Sequence, residues 1–137
     1  MIVDAGPLYA AADADDPRHA QAAALLEGWN GELVVPAFTA AEADHLILSR
    51  LGVGVQVAFV RALGEAFSVE SLGPADLAAA AGLCERHADL EIGLADASAV
   101  VLADRWGTTA IATFDHRHFR VLTPLAGGAF RLLPEDG

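Results

Sequence analysis

The 137-residue chain contains no lysine. That absence removes Schiff-base chemistry and the phosphate-binding loop built around a lysine. It also removes a receiver-type reading, in which a strand-end aspartate is phosphorylated beside an essential lysine. Cysteine is almost as scarce, and the single Cys84 excludes an internal disulfide and a cysteine-rich zinc site. Long apolar runs are missing too. The longest stretch free of Asp, Glu, Lys and Arg is ten residues, at Leu51–Val60 and again at Val121–Phe130, whereas a membrane span needs roughly 18 or more apolar residues. No basic region or cleavage pattern precedes an apolar stretch at the start, so a signal peptide is not expected and a cytoplasmic location is. Positive charge is the last shortage. Eight arginines stand against 19 acids, giving −11, which argues against coating nucleic acid through a broad basic surface. Such acidity suits a metal site, a basic protein partner or plain solubility, and solubility is the simplest of the three.

Apolar residues are abundant at 54%, enough to exclude disorder. The length suits one domain spanning 1–137. Met1-Ile-Val-Asp4 is a short apolar run closed by an acid, the pattern of a buried strand. A short helix is expected over Leu8–Ala12, after Pro7. Asp15-Asp16-Pro17 reads as a helix start, with an acid as cap and proline just inside. Ala22, Leu25, Leu26 and Trp29 then repeat at helical spacing until Asn30-Gly31. Leu33–Val35 is a second strand ended by Pro36. Thr39 opens a helix to about Leu51, and Val55, Phe59, Ala62 and Ala66 mark the next. Phe67–Leu72 reads as a strand with one exposed face, and Gly73-Pro74 opens an alanine-rich helix through His87. Leu94–Trp106 is helical, with Ala95, Ala99, Leu102, Ala103 and Trp106 on one face and Gly107 in the stop position. Ala110–Phe114 is an apolar strand, followed by weaker strand signals at Arg120–Leu122 and Phe130–Leu133. Alternation of this kind predicts an α/β sandwich around a mainly parallel sheet flanked by helices.

In open parallel sheets, ligands sit beyond the carboxyl ends of the strands. Asp4 lies where the first strand ends, and Asp115 lies just past the Ala110–Phe114 strand. Glu42 and Asp96 fall in the first turns of their helices. All four acids are therefore placed to point toward one sheet edge. Oxygen ligands of this type select Mg2+ or Mn2+, and no His or Cys set competes for zinc. Packed carboxylates repel, so without a cation one or more holds a raised pKa. Two such ions, about 3.5–4 Å apart, activate a water and stabilise a leaving oxygen in phosphodiester hydrolysis. Each acid also has a plainer use. Thr39-Ala-Ala-Glu42 matches a capping box, Asp115 can cap the turn His116–Phe119, and Asp96 can complement a helix dipole. Asp4 has no such use beyond a helix start at Gly6-Pro7. The chemical reading rests on convergence, not on any one acid.

The segments Ile2-Val-Asp4-Ala-Gly-Pro-Leu8, Glu42 after Val35-Pro36, Gly93-Leu-Ala-Asp96-Ala-Ser98 and Ala112-Thr-Phe-Asp115-His-Arg-His-Phe119 resemble a PIN-domain ribonuclease, specifically the VapC toxins of bacterial toxin–antitoxin pairs. The resemblance runs along essentially the whole chain. It implies a PIN-like three-layer sandwich and an endoribonuclease acting with Mg2+, Mn2+ being the substitute. Asp4, Glu42, Asp96 and Asp115 match the family's acidic quartet, with Asp4 and Asp96 most directly tied to the metal. Glu42 takes the role of ligand or of base toward the water. Thr113 matches a hydroxyl that supports the site. Homodimers and restraint by a cognate VapB-like antitoxin are implied as well.

Arg117 and Arg120, beside Asp115, are the first candidates for contact with RNA phosphates, and Arg18 is a weaker one. Two Mg2+ ions change the net charge from −11 to −7 (−11 + 4), so RNA binding must rely on local arginines and on the metal. His116 and His118 are expected at the surface or in a cap contact. His19, His45 and His87 read as solvated or partner-facing. Trp29 and Trp106 are expected in the core, and Cys84 as a small core residue. Two rivals remain. A phosphatase working through an aspartyl-phosphate needs D-x-D, which Asp4-Ala-Gly6 lacks. A non-catalytic PIN-like module binding RNA or protein would keep the fold and the acidic cluster without the reaction.

Overall fold

The computed structural model describes residues 1–137. Five short strands, β1 (Ile2–Val3), β2 (Val34–Pro36), β3 (Ser68–Glu70), β4 (Ala110–Ala112) and β5 (Arg131–Leu133), form one sheet in the order β3-β2-β1-β4-β5. Every neighbouring pair is parallel. Ile2 stands in register with Val34 on one side and Ile111 on the other, and Ile111 with Leu132. Because side chains alternate across a strand, this row faces one way and Val3, Val35, Ala112 and Leu133 face the other.

The second row packs against α1 (Ala5–Ala12), α2 (His19–Gly28), α3 (Ala37–Leu51) and α4 (Val53–Ala66), through Leu8, Leu26, Ile47 and Phe59. The first row packs against α5 (Pro74–Arg86), α6 (Leu94–Arg105) and α7 (His116–Phe119), through Leu83, Leu102 and Phe119. The result is the expected three-layer sandwich, and its sheet is entirely parallel. α6 is its most buried helix, with Ala97 to Ala103 buried without a break. Ser98 is tolerated there because its hydroxyl donates to the Leu94 carbonyl at 2.6 Å. Gly107, at φ +60°, takes the left-handed conformation that ends the helix.

The connections leave from β1 in one direction and return in the other. α1 to α4 carry the chain outward to β2 and β3, while α5 and α6 bring it back to β4, on the opposite side of β1. Segments leaving β1 and β4 therefore diverge at their carboxyl ends, and a crevice opens between them.

Several boundaries differ from the sequence reading. α1 starts at Ala5, because Asp4 itself caps it, with Pro7 accommodated in the first turn. α2 starts only at His19: Asp16 accepts the Arg18 N–H at 2.7 Å and closes a turn before the helix begins. α3 starts at Ala37, directly from Pro36, so Thr39 is a buried helical residue and the capping box with Glu42 is not made. Arg120–Leu122 is not a strand. It follows α7 as a turn, with the Leu122 N–H on the His118 carbonyl at 2.9 Å. Trp106 is 37% exposed at the end of α6, not in the core, while Trp29 packs half-buried against the α1–α4 side. No helix is long and apolar enough to cross a membrane.

Candidate active site

Asp4 is the first residue beyond β1, and its N–H still continues the sheet by donating to the Ala112 carbonyl at 2.9 Å. That bond fixes the backbone and leaves the side chain at the mouth of the crevice. One carboxylate oxygen, Oδ1, accepts the Ala5 N–H at 2.9 Å, and the other accepts the Thr113 hydroxyl at 2.8 Å. Thr113 is fully buried and also accepts the Asp115 N–H at 3.1 Å. One hydroxyl thus ties together the ends of β1 and β4. Burial holds the Asp4 carboxyl above the usual carboxylate range. The hydrogen bonds from Thr113 and Ala5 pull it down, and the charges of Asp96 and Glu42 push it further up.

Asp96 sits in the first turn of α6, and its Oδ2 lies 2.6 Å from His118 Nδ1 on α7. The other ring nitrogen, Nε2, lies 3.3 Å from Arg117 Nη2. A guanidinium only donates, so Nε2 accepts and the proton on Nδ1 is the one given to Asp96. Asp115 caps α7 by accepting the Arg117 N–H at 3.2 Å. Glu42 projects from the second turn of α3 and is exposed.

These four acids line a single cleft of about 510 Å³, together with Asp16, Arg18, Arg50 and His118. The plain roles of Asp4 and Asp115 as caps are real and coexist with their place in the cleft. Glu42, Leu46 and Arg50 reach it from one stripe of α3, at i, i+4 and i+8. Of the three arginines expected to contact RNA, only Arg18, the weaker candidate, lines it; Arg117 and Arg120 do not. Arg120 is held bidentately on Asp136 at 2.7 and 2.8 Å, and Arg117 reaches the cleft only through His118. Asp16, Arg50 and His118 are the residues the sequence reading did not bring to the site. Arg50 was signalled by the α3 stripe and His118 by its place three residues after Asp115, whereas Asp16 had no signal beyond its helix-start pattern.

The donors fit a hard divalent ion in type and sign: they are oxygens, and the buried Asp4 carries the electrostatic cost of its neighbours. No three His, Cys, Asp or Glu side chains are spaced to grip an ion together. Magnesium does not require such a cage, since it keeps several waters and is commonly held through one or two carboxylates and substrate phosphate.

Comparison with known proteins places this geometry in context. The PIN-domain family model matches residues 1–122. Ribonuclease VapC26 of Mycobacterium tuberculosis is 40% identical over 135 residues, which cover 98% of this chain and all of that protein. The crystal structure of Mycobacterium tuberculosis VapC20, described as a toxin cleaving the sarcin-ricin loop, superposes with a TM-score of 0.76 over 84% of this chain and 89% of that one. At 22% identity, that match speaks for the fold alone. A parallel sheet of this order, a cleft at its switch point and these likenesses agree: the chain is a VapC-like member of the PIN-domain family.

Proposed function

We propose that the protein is an Mg2+-dependent endoribonuclease that acts as the toxin of a toxin–antitoxin pair, restrained by a cognate VapB-like antitoxin, with Mn2+ as a substitute ion and a homodimer as the working form. One observation carries the reading. Acids from positions 4, 42, 96 and 115, on four different elements, face one cleft at the switch point of the sheet. The likeness to Ribonuclease VapC26 along the full chain supports the reaction class.

Asp4 and Asp96 would hold the ion, with Glu42 and Asp115 as further ligands. When bound, such an ion lowers the pKa of a water and offsets the charge that grows on the phosphate. Thr113 keeps the Asp4 carboxylate turned into the crevice, and His118 does the same for Asp96. Glu42 is the acid with most freedom, exposed on α3 and engaged with no other residue. It orients the attacking water or takes its proton. Water would add to phosphorus and give up a proton to Glu42 or to solvent, the bond to the leaving ribose oxygen would break, and that oxygen would take a proton from solvent.

The test is cleavage of structured RNA by purified protein in Mg2+, in EDTA, and as Asp4→Asn and Asp96→Asn. Cleavage is expected only with the wild type in Mg2+. Cleavage that survives all three treatments rejects the mechanism, and the Asn variants guard against a contaminating nuclease. A folded wild type that cuts no RNA favours the non-catalytic binding module.

A further inference from the structure

The acids leave a problem of charge. Five carboxylates line the cleft and the whole chain carries −11, yet the ribonuclease reading asks it to accept a polyanion. Two guanidiniums line the same cleft, and each is seated over an aromatic ring that also lines it. Arg18 Cζ lies 4.2 Å from the centre of the Phe114 ring, and Arg50 Cζ lies 5.3 Å from the centre of the Tyr9 ring. Both seats are themselves placed by the fold. Phe114 stands between Thr113 and Asp115 at the end of β4, and the Tyr9 hydroxyl donates to Asp13 at 3.0 Å.

Arg105 and Arg120 are used differently. Arg105 is spent on Asp76 and Glu70, and Arg120 on Asp136. Arg18, by contrast, makes only a long ion pair, its Nε 3.8 Å from Asp16 and beyond hydrogen-bond range, and Arg50 pairs with no carboxylate, its side-chain partner being Tyr9. An aromatic face holds a guanidinium by its plane and leaves the N–H groups at its edge unspent. That is the state a planar fork needs to close on a phosphate. Neither guanidinium is closed bidentately on a carboxylate, although the cleft has five.

We propose that Arg18 on Phe114 and Arg50 on Tyr9 are two phosphate clamps for the backbone of an RNA strand lying in the acidic cleft. The identity of the polyanion rests on the ribonuclease reading; the availability of the two cations does not. The arrangement explains how a strongly acidic protein admits RNA locally while its long-range field repels it.

Counterion release gives the test, because each phosphate contact adds to the salt dependence of binding. Labelled single-stranded RNA is titrated with Asp4→Asn protein in EDTA, so that the strand stays intact, across a series of potassium chloride concentrations. Arg18→Ala and Arg50→Ala, made in that protein, are each expected to weaken binding roughly tenfold. Each is also expected to make the plot of log affinity against log salt shallower by about 0.7. Arg18→Lys and Arg50→Lys keep the slope and lose part of the affinity, since a point charge replaces a fork. Phe114→Leu and Tyr9→Leu keep both charges and still weaken binding severalfold. Alanine variants that match their parent in affinity and slope overturn the clamps, whatever their melting temperatures. So does a parent with no measurable RNA binding. The two readings fail separately. A wild type that cuts RNA while the alanine variants bind normally sinks the clamps alone; variants that behave as stated beside a wild type that never cuts sink the nuclease alone.

Discussion

At the scale of single residues, the site is organised by one hydroxyl. Thr113 donates to Asp4 and accepts from Asp115 while fully buried. Thr113→Val keeps the shape and deletes both bonds. It should cost about 1–3 kcal/mol in denaturant unfolding, because a buried carboxylate and an N–H lose their partner. It should also raise the Asp4 carboxyl further, since the Thr113 hydrogen bond is one of the influences pulling it down. Asp4 itself gives a pH signature. Its folded-state pKa is raised, so the native state binds the proton more tightly than the unfolded chain does. Stability therefore falls as pH rises from the ordinary aspartate range through the raised value. Without divalent ions, Asp4→Asn should be more stable than wild type at neutral pH, and the two should converge in acid. A wild-type advantage at neutral pH would contradict this.

Elements explain which parts of the chain could be read in advance. The apolar runs at Ile2–Val3, Val34–Val35 and Ala110–Ala112 are legible as strands because both faces are covered, so no polar alternation dilutes the signal. Helix starts were less legible. α3 begins at Ala37 straight from the strand-ending Pro36, and the local Thr39–Glu42 pattern competes with that start and loses. Trp106 fits the helical period of α6 but lies one residue past its end, where the face no longer meets the sheet. α6 is the element that bears Asp96, and its interior sets its position. Leu102→Ala, at a fully buried position, should cost about 2–5 kcal/mol in chemical denaturation. The C-terminal turn is held differently. The Arg120 guanidinium beside Asp136 holds its carboxyl down at about 2, and Asp136 also accepts the Leu132 N–H at 2.7 Å. A depressed carboxylate stabilises the fold above its ordinary range and loses that contribution as pH falls toward 2. Asp136→Asn should flatten the acid limb of the stability profile.

For the molecule as a whole, the fold class and the four acids were visible in the sequence, while strand order was not. Periodicity marks a strand but does not name its neighbours; the order β3-β2-β1-β4-β5 is set by how α1–α4 and α5–α6 divide between the two faces. The acids could be brought together on paper because the ends of parallel strands share an edge. Arg18 and Arg50 were harder to place, since one lies in a turn before α2 and the other at the far end of α3, and neither follows a strand. The measurement that bears most directly on the account is thermal unfolding under a Mg2+ titration, for wild type, Asp4→Asn and Asp96→Asn. An ion bound only to the native state raises the melting temperature with concentration. The wild type should rise and both Asn variants should stay flat. A wild type indifferent to Mg2+, or three proteins rising together, would mean that the cleft at the end of β1 and β4 is not where the ion binds.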